Sequence, residues 1–480
     1  MVLNYVDIMP YSVPQNIDPN KIFLVNFSEL EGRWDPQFYT PKNLGLVRSI
    51  TKRVKWKRLK ELVKFSTETW NQKDFFEEEF PYVEISEIDT SNGDIRNINF
   101  IEIAKAPSRA KMIVHNGDII ISTTRPTRGA ISLVNTKLPI LIASTGFSVI
   151  REVDENVILK TALFIILRLE MSLLQMGQRS SGGNYPAITQ DELGKIIIPV
   201  PPLHIQQQIV NVYNAALSQR KKKLSESKSK LASIDQYLLG ELGITLPEDS
   251  HEKTFIVNYK DVDGGRLDPN FYRLEYSSLV SNLRESDFCK VKDVVVFSDE
   301  MWNQESLFSD YFPYLEISGI NIEYGQIEAI TLTRKKDAPS RARMILREGD
   351  LIVSLTRPMR GAIALFDIAD HNVAIGSTGF SVIRDVDSKR ISKDYLCIVL
   401  KSSIVLKQFS QRCSGGNYPA ITQYDLGCVS IPLPSLDKQQ EIADHISAIR
   451  AEAKALEQEA NVILEQEKKK VEEMILGYFS

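Results

Sequence analysis

The sequence predicts an α+β protein with two tandem domains, each followed by a long helix, and three observations support this prediction. The chain repeats itself once, in register, over most of its length. Each copy is rich in short β-type segments punctuated by Gly, Asn and Pro turns. Each copy also ends in an apolar pattern with helical spacing. We expect the two helices to form an antiparallel coiled-coil spacer.

The internal repeat is the strongest of these signals. The segment GRWDPQFY at Gly32–Tyr39 returns as GRLDPNFY at Gly265–Tyr272. Trp70–Ile131 aligns with Trp302–Ile363 without a gap, and 32 of the 62 positions are identical. The offset stays at 232 or 233 residues, whereas solenoid units span roughly 20–50 residues. Each copy is therefore a whole domain with a connector.

The end of each copy predicts the domain boundaries. Prolines in KIIIPVPPL and CVSIPLPSL stop a buried strand, and helical stripes follow at Ile205–Leu238 and Ile442–Ile475. We predict a first domain at residues 1–200, a first helix at 201–242, a second domain at 243–433 and a second helix at 434–480. The long, nearly heptad stripes favour a coiled coil. Two surface helices that pack on their own domains are the alternative.

Inside each domain we expect a mostly antiparallel or mixed sheet with strands in segments such as MIVHNGDIIIST and TGFSVIR. Helical patterns cover residues near Pro41–Leu62 and Lys160–Gln178. Asp118 in GDIIIS and Asp350 in GDLIVS recur, and Gly-Asp at this place indicates a turn into a strand.

The composition limits the class of protein. Lysine and arginine number 58 against 62 acidic residues, so the net charge is −4, which argues against bulk coating of nucleic acid but allows one basic face. The cysteines lack CxxC spacing, so we expect reduced thiols in a cytoplasmic protein. The start has no secretory pattern, and no apolar run approaches the ~20 residues of a membrane helix. The cysteines are Cys289, Cys397, Cys413 and Cys428.

Motifs of catalysis do not occur in the sequence, which lacks GxxxxGK[ST], GxGxxG opening a helix, and HExxH. The five histidines do not fall at equivalent places in the two copies. A nucleophile and its base would be duplicated together with their domain. We therefore expect no catalytic residue and no metal site.

Basic residues that recur in register are the first candidates for DNA contact. Arginine forks pair with phosphates, or with guanine in the major groove. A solvated surface or an internal ion pair is the alternative for each, but four paired positions favour contact. They are Arg109, Lys111, Arg125 and Arg128 in the first copy, and Arg341, Arg343, Arg357 and Arg360 in the second.

Two further segments recur almost unchanged, SGGNYPAITQ with its flank and WNQ. Glycine permits close backbone approach, asparagine pairs with adenine, and tyrosine stacks or bonds to a phosphate. A tight loop before the last strand is the alternative for the first segment, and a core position is the alternative for the tryptophan. The predicted DNA-binding residues are Arg179, Ser181, Gly182, Gly183, Asn184, Tyr185, Arg412, Ser414, Gly415, Gly416, Asn417, Tyr418, Trp70, Asn71, Gln72, Trp302, Asn303 and Gln304.

With these motifs, the sequence resembles the specificity subunits of type I restriction–modification enzymes over almost its whole length. The resemblance depends on the paired GRxDPxFY starts, the GDI and GDL strands, the SGGNYPAIT loops, and the IPVPPLHIQQQI and IPLPSLDKQQEI junctions. It implies that each domain is a target-recognition domain for one half of a split site in double-stranded DNA. It also implies that the helices dock two methyltransferase subunits.

The same resemblance implies that the chemistry lies in other subunits. This chain would bind no cofactor, whereas methyltransferase subunits would bind S-adenosylmethionine and two motor–nuclease subunits would use ATP and Mg²⁺. Two other classes stay open: a methyltransferase or nuclease remnant with an unrecognised site, and a non-catalytic coiled-coil adaptor whose domains bind protein.

Near identity of the recurring loops predicts similar half-sites, and an approximate two-fold axis predicts that they are inverted. Three differing pairs could change a base in one half. These pairs are Lys73 and Glu305, Glu87 and Gly319, and Thr127 and Met359.

Overall fold

Two compact units make up the protein, which we describe from a computed structural model covering residues 18, 21–71, 76–248, 254–259, 262, 266, 268–284, 287–304, 306–368 and 372–477. Unit one comprises Met1–Lys223 and Gln458–Ser480, and unit two comprises Leu224–Glu457. Each unit contains one globular head and parts of both long helices. We call the globular parts head 1 and head 2.

Short strands and helices alternate in head 1. Its helices are α1 (Pro41–Arg53), α2 (Lys160–Leu167), α3 (Glu170–Arg179) and α4 (Gln190–Gly194). Its strands are β1 (Trp56–Arg58), β2 (Val63–Phe65), β3 (Glu79–Val83), β4 (Asn99–Glu102), β5 (Ala110–Val114), β6 (Ile119–Ser122), β7 (Ile131–Leu133), β8 (Leu141–Ser144), β9 (Phe147–Val153) and β10 (Ile197–Pro199). The first long helix, α5 (Leu203–Leu242), follows.

Head 2 repeats this order and adds a small hairpin. Its helices are α6 (Leu274–Arg284), α7 (Lys393–Leu400), α8 (Ser403–Arg412) and α9 (Gln423–Gly427). Its strands are β11 (Phe288–Lys290), β12 (Val295–Ser298), β13 (Tyr311–Leu315), β14 (Ile320–Asn321), β15 (Gln326–Ile327), β16 (Thr331–Arg334), β17 (Ala342–Arg347), β18 (Leu351–Ser354), β19 (Ile363–Leu365), β20 (Val373–Ser377), β21 (Phe380–Val386) and β22 (Ser430–Pro432). The second long helix is α10 (Leu436–Leu476).

Each head contains two four-stranded sheets together with short helices, which is consistent with the predicted α+β class. In head 1 the first sheet has the order β2-β9-β6-β7 and is antiparallel, and the second has the order β4-β3-β8-β5 with β3 and β8 parallel. In head 2 the equivalent orders are β12-β21-β18-β19 and β16-β13-β20-β17, again with one parallel pair, β13 and β20. The prediction of a mixed sheet in each head is confirmed.

Alternating side chains divide each head into layers. On β6, Ile119 and Ile121 join the core formed with helices α2 and α3, whereas Ile120 joins the core between the two sheets. On β3, Phe80 belongs to an aromatic cluster on the outer face of the second sheet, whereas Val83 faces the core between the sheets. Because strand neighbours point to opposite faces, one short strand serves two cores.

Two predicted helical stretches are shorter than expected. The first ends at Arg53, and the residues from Trp56 onward form two short strands on either side of a 3-10 turn at Leu59–Glu61. This course buries Leu59 and Leu62 in the core formed with α2 and α3. The second is interrupted between α2 and α3. Arg168 lies at this break and donates hydrogen bonds to the carbonyls of Ile131 and Thr90, which ties the helices to the sheet.

The predicted Gly-Asp turns are present, and each buried aspartate also pairs with a half-buried arginine. Gly117 has a φ of +86°, and the Asp118 carboxylate accepts a hydrogen bond from His115 N at 2.8 Å. Asp118 also lies 2.8 Å from Arg151, and Asp350 lies 2.7 Å from Arg384 at the equivalent place. The aspartate of each turn therefore also forms an ion pair, which joins strand ends within its head.

The long helices comprise 40 residues in α5 and 41 in α10. In unit two, Lys230 contacts Glu452 at 2.6 Å, and Glu241, farther along α5, contacts Lys438 near the start of α10. The two helices therefore run antiparallel. None of the helices in the described part of the chain is both long and apolar enough to cross a membrane.

Each head core includes side chains from the long helix of the other repeat. In unit one, Leu464, Val471 and Ile475 of α10 are buried in the core of head 1. Glu472 also accepts a hydrogen bond from Met171 N at 3.0 Å, in the first turn of α3, where an acid is favourable. Burial raises the pKa of Glu472.

Unit two uses the equivalent arrangement with α5. Leu238 is buried in the core of head 2, and Asp235 accepts a hydrogen bond from Ser403 N at 2.8 Å at the start of α8. Each long helix also packs on its own head, through Ile209 in unit one and Ile446 in unit two. The helical stripes therefore contribute to the head cores as well as to the helix pair.

The start of each long helix is fixed to its head by a buried glutamine. Gln206 accepts a hydrogen bond from Leu159 N at 2.8 Å and donates to the carbonyls of Val157 and Pro201. Gln439 makes the equivalent contacts, accepting from Ser392 N at 3.0 Å. These contacts explain why PxPxLxxQ recurs at both junctions.

We predict that Gln206→Leu lowers the free energy of unfolding of unit one by about 2–4 kcal/mol, because three backbone groups lose their partner in a buried place. The neighbouring Gln207 is exposed, so Gln207→Leu is the matched control and should change stability little. Denaturant unfolding measures both. Equal stability of the two variants would contradict the role of Gln206.

Candidate nucleic-acid interface

The connection between β6 and β7 contains an arginine in an unusual conformation. Arg125 has φ 47° and ψ 52°, and Arg357 has φ 49° and ψ 50° at the equivalent place between β18 and β19. Left-handed backbone costs a residue other than glycine about 1 kcal/mol. We name Arg125–Gly129 and Arg357–Gly361 the RPxRG loops. Because the same strained arginine occurs in both heads, the loop conformation is specified rather than incidental.

In head 1 the RPxRG loop is joined to the loop at Ser181–Ala187, which we name, with its equivalent Ser414–Ala420, the GGNYP loop. Arg125 N donates to Pro186 O at 2.7 Å. The Arg125 guanidinium donates to Asn184 O at 2.9 Å and lies 4.2 Å from the centroid of the Tyr185 ring. The two strongest candidates of the sequence therefore form one surface.

The GGNYP loop of head 2 makes the same contacts. Arg357 N donates to Pro419 O at 2.7 Å, and its guanidinium donates to Asn417 O at 3.2 Å. The guanidinium carbon lies 4.6 Å from the Tyr418 ring centroid. Two independent parts of the chain thus build the same composite loop.

A third segment, the turn that precedes β5, lies on the same edge of head 1. Thr145 N donates to Arg109 O at 2.8 Å, and Thr123 N donates to Gly146 O at 2.7 Å, immediately before the RPxRG loop. In head 2, Thr378 N donates to Arg341 O at 2.8 Å. We name the three joined segments of each head its loop edge.

Most polar side chains of the loop edge are exposed. Tyr185 and Tyr418 are 70% and 71% exposed. In the described part of the chain, the guanidinium groups of Arg128 and Arg360 have no hydrogen-bond or ion-pair partner. The other exposed candidates are Asn71, Arg109, Lys111, Ser181, Gly182, Gly183, Asn184, Asn303, Gln304, Arg341, Arg343, Ser414, Gly415, Gly416 and Asn417.

The first glycine of the GGNYP loop is required by its backbone. Gly182 has a φ of +103°, and a Cβ atom there would lie 3.1 Å from Tyr185 O. Gly415 has a φ of +95° with the same close approach to Tyr418 O, at 3.2 Å. The glycines therefore fold the loop so that the tyrosine points outward.

Arg179 does not lie with the exposed residues, because it is 4% exposed and forms buried ion pairs. It contacts Glu31 at 2.8 Å and Glu192 at 3.1 Å, and its guanidinium lies over the Phe38 ring. Burial alone would raise the pKa of Glu192, but hydrogen bonds from Lys195 and Arg179 outweigh it and lower that pKa. An internal ion pair, rather than DNA contact, is therefore the favoured interpretation of Arg179.

The equivalent arginine of head 2, Arg412, also lies over an aromatic ring, but its ion pair is longer. The Arg412 guanidinium lies 5.4 Å from the Phe271 ring centroid and 3.9 Å from Asp425. Arg266 covers the same ring at 4.5 Å and donates to Arg412 O at 3.0 Å. Arg179 is buried and Arg412 is half-buried, and each lies two residues before a GGNYP loop, so both arginines position the loop rather than face outward.

The two tryptophans are core residues. Trp70 and Trp302 are 4% and 5% exposed and pack against Phe80 and Phe312 at 4.5 and 4.6 Å between ring centroids. A buried ring cannot stack on a base, so the core alternative is favoured for both. Gln72 lies outside the described residues.

Sequence reasoning missed the residues that support the GGNYP loop, although their motif was visible. Arg33 lies 4.8 Å from the Phe38 ring centroid and 3.2 Å from Glu192. Arg33 and Phe38 belong to GRWDPQFY, whose recurrence as GRLDPNFY was the available signal. The motif therefore supplies the aromatic ring and a second arginine beside Arg179, which supports the GGNYP loop.

The family model that describes the type I restriction modification DNA specificity domain matches residues 52–225 and 284–466, which is most of the chain. The chain belongs to this family of DNA specificity domains. Both matches begin within a head and end within a long helix. The resemblance seen in the sequence is thereby confirmed, and each match includes one loop edge.

Known specificity subunits are similar along much of the chain. The specificity subunit of the type I restriction enzyme MjaVIII from Methanocaldococcus jannaschii is 24% identical over 323 residues, 65% of this chain and 68% of that one. The putative MjaX specificity subunit of the same organism is 21% identical over 408 residues, 83% and 86% of the two chains. A chain of a solved type I restriction–modification system matches with TM-score 0.49 and 22% identity over 88% of this chain and 97% of that chain.

We predict that Arg179→Met loosens the GGNYP loop of head 1 without unfolding the head, because Glu31 and Glu192 lose their common partner. Hydrogen exchange at Ala187 N, which donates to Ser181 O at 2.8 Å, should accelerate, whereas amides of β6 and β9 stay protected. An unchanged rate of hydrogen exchange at Ala187 N would show that the loop does not depend on the ion pairs of Arg179.

Proposed function

We propose that this chain is the DNA-recognition subunit of a type I restriction–modification complex, in which each head contacts one half of a split site through its loop edge. The observation that supports this most is the duplication of one composite surface. In both heads an arginine held in left-handed backbone stacks on an exposed tyrosine and holds the GGNYP loop. A structural loop alone would not need the exposed polar side chains to recur.

The chemistry of the loop edge suits double-stranded DNA. Arg128 and Arg360 offer exposed guanidinium forks, and such forks bind phosphates or the O6 and N7 atoms of guanine. Asn184 and Asn417 offer the donor and acceptor that pair with adenine in the major groove. The chain is acidic overall, with a net charge of −4, so these exposed cations would provide a local attraction for the backbone.

The proposal extends to the geometry of the site. Similar loop edges favour similar half-sites, and the antiparallel course of the long helices favours their inversion. Heads that approach one face of the duplex favour half-sites about one helical turn apart, roughly 10 bp between centres. The unread bases between them would form the gap.

We further propose that the long helices dock two methyltransferase subunits, which bind S-adenosylmethionine, and that two motor–nuclease subunits supply ATP- and Mg²⁺-dependent cleavage. The chain itself would bind no cofactor, would be non-catalytic and would act in the cytoplasm. Among the described residues, no group of three or more His, Cys, Asp and Glu side chains is placed to hold a metal ion. The similarity to named specificity subunits supports this division of labour.

Replacing one exposed arginine of an RPxRG loop should weaken DNA binding in a way that identifies its contact. If Arg128 or Arg360 contacts a phosphate, its change to Ala lowers affinity for all sequences and reduces the salt slope by about 1. If it contacts a base, discrimination at one position falls by about 1–3 kcal/mol. Lys469→Ala, an exposed cation on α10, is the control. Binding titrations over a range of salt concentrations measure these effects. Unchanged DNA affinity in all four single variants would show that these loops do not contact DNA. The variants are Arg125→Ala, Arg128→Ala, Arg357→Ala and Arg360→Ala.

A further prediction concerns the DNA site that the chain recognises, which should be split, with two similar inverted halves. Modified bases in DNA from cells that carry this chain with its methyltransferase subunit reveal the motif directly. The same measurement tests docking, because a methyltransferase that is not held by this chain has no access to its sequence selection. A continuous site, or two unrelated halves, would contradict the role of the loop edges.

A further inference from the structure

The structure separates the three differing pairs of positions that the sequence singles out as able to change a base in one half-site. Lys73 and Glu305 lie outside the described residues. Gly319 is buried, and a Cβ atom there would lie 2.4 Å from Ala329 O, so packing explains this glycine. Thr127 and Met359 differ on the exposed tips of the RPxRG loops, between the two arginines of each loop.

In head 1 the tip residue, Thr127, packs against a glycine of α3. A Cβ atom at Gly177 of α3 would lie 2.7 Å from the Thr127 methyl carbon, closer than real Cβ contacts occur. The glycine therefore makes room for the branched side chain. In the described part of the chain the Thr127 hydroxyl has no hydrogen-bond partner. With its methyl group turned toward α3, the threonine leaves a hydroxyl available on the loop edge.

Head 2 has changed both members of this contact. Ser410 stands where head 1 has Gly177, so a threonine methyl in the head 1 position would meet the serine Cβ. The unbranched Met359 instead lies with its sulfur 3.4 Å from Cys413 Sγ and is 39% exposed. Burial raises the pKa of the Cys413 thiol to about 11, so this sulfur is neutral. Head 2 therefore presents an apolar, polarisable tip where head 1 presents a hydroxyl.

We propose that the tip residue determines a one-base-pair difference between the half-sites: Met359 contacts the 5-methyl group of a thymine, and Thr127 forms a hydrogen bond to the base at the matching place. This inference rests on the proposed function. Thymine is the one base that offers a methyl group in the major groove, and apolar side chains are its natural partners. A threonine hydroxyl can bond to either base of a pair.

The test begins with selection of bound sequences from a random duplex library by the full chain, followed by replacement of each selected thymine with deoxyuridine, which lacks only the methyl group. We expect one replacement in one half-site to weaken binding about three- to fivefold, as the loss of one methyl contact predicts. Replacement at the matching place of the other half should have no such effect.

Variants assign the methyl contact to its residue. The double variant Met359→Thr and Ser410→Gly should lose the deoxyuridine effect, because it recreates the seat of head 1. Ser410→Gly alone keeps the methionine and should keep the effect. Thr127→Met should create a preference for thymine in the other half. These changes alter one base position each, which a general loss of folding would not do.

Each outcome separates the two proposals. If no sequence is enriched, the proposed function fails and this inference fails with it. If a split site is enriched but every thymine tolerates deoxyuridine, or if the double variant keeps the effect, the inference alone is overturned. A methyl-sensitive position that moves with the methionine supports it.

Discussion

The structure depends on an exchange of helices between the two repeats. Leu464, Val471 and Ile475 arise at the end of the second repeat yet are buried in the core of head 1, and Leu238 of the first repeat is buried in the core of head 2. Full burial of one such side chain contributes about 1.5–3 kcal/mol. A single repeat with its own helix would leave these places empty. The apolar positions of the two stripes therefore serve the head cores as well as the helix pair.

Rigid support of the loop edge follows from that core. Helix α3, whose first turn bonds to Glu472, ends at Arg179, and the GGNYP loop begins directly after it. The buried arginine, the aromatic ring of Phe38 and the carboxylates around it fix where the loop leaves the helix. The strained backbone of Arg125 is then tolerated because the hydrogen bond from its nitrogen to Pro186 O and the stack on Tyr185 compensate for it. A precise surface is thus built from loops on a well-packed scaffold.

The repeat and its helical stripes made the architecture predictable, because periodicity and self-similarity are local in the sequence. The exchange of helices was not predictable, since the pattern of Val471 and Ile475 shows which side of a helix is apolar but not which core receives it. The break between α2 and α3 was missed for a similar reason. Arg168 interrupts the helix to bond to carbonyls of the sheet, and such a tertiary contact leaves no periodic trace.

Recurrence selects residues that both copies need, but it does not distinguish support from contact. Arg179 and Arg128 recur equally well, yet one is 4% exposed between two carboxylates and the other is exposed without a partner in the described part of the chain. Charge alone would assign them the same role. Burial separates them, because a guanidinium held in a buried ion pair is costly to remove from it. Under the proposed function, residues that recur and are exposed are therefore the group from which DNA contacts should come, and the exposed pair Thr127 and Met359 is where we propose that the two heads differ in the base they prefer.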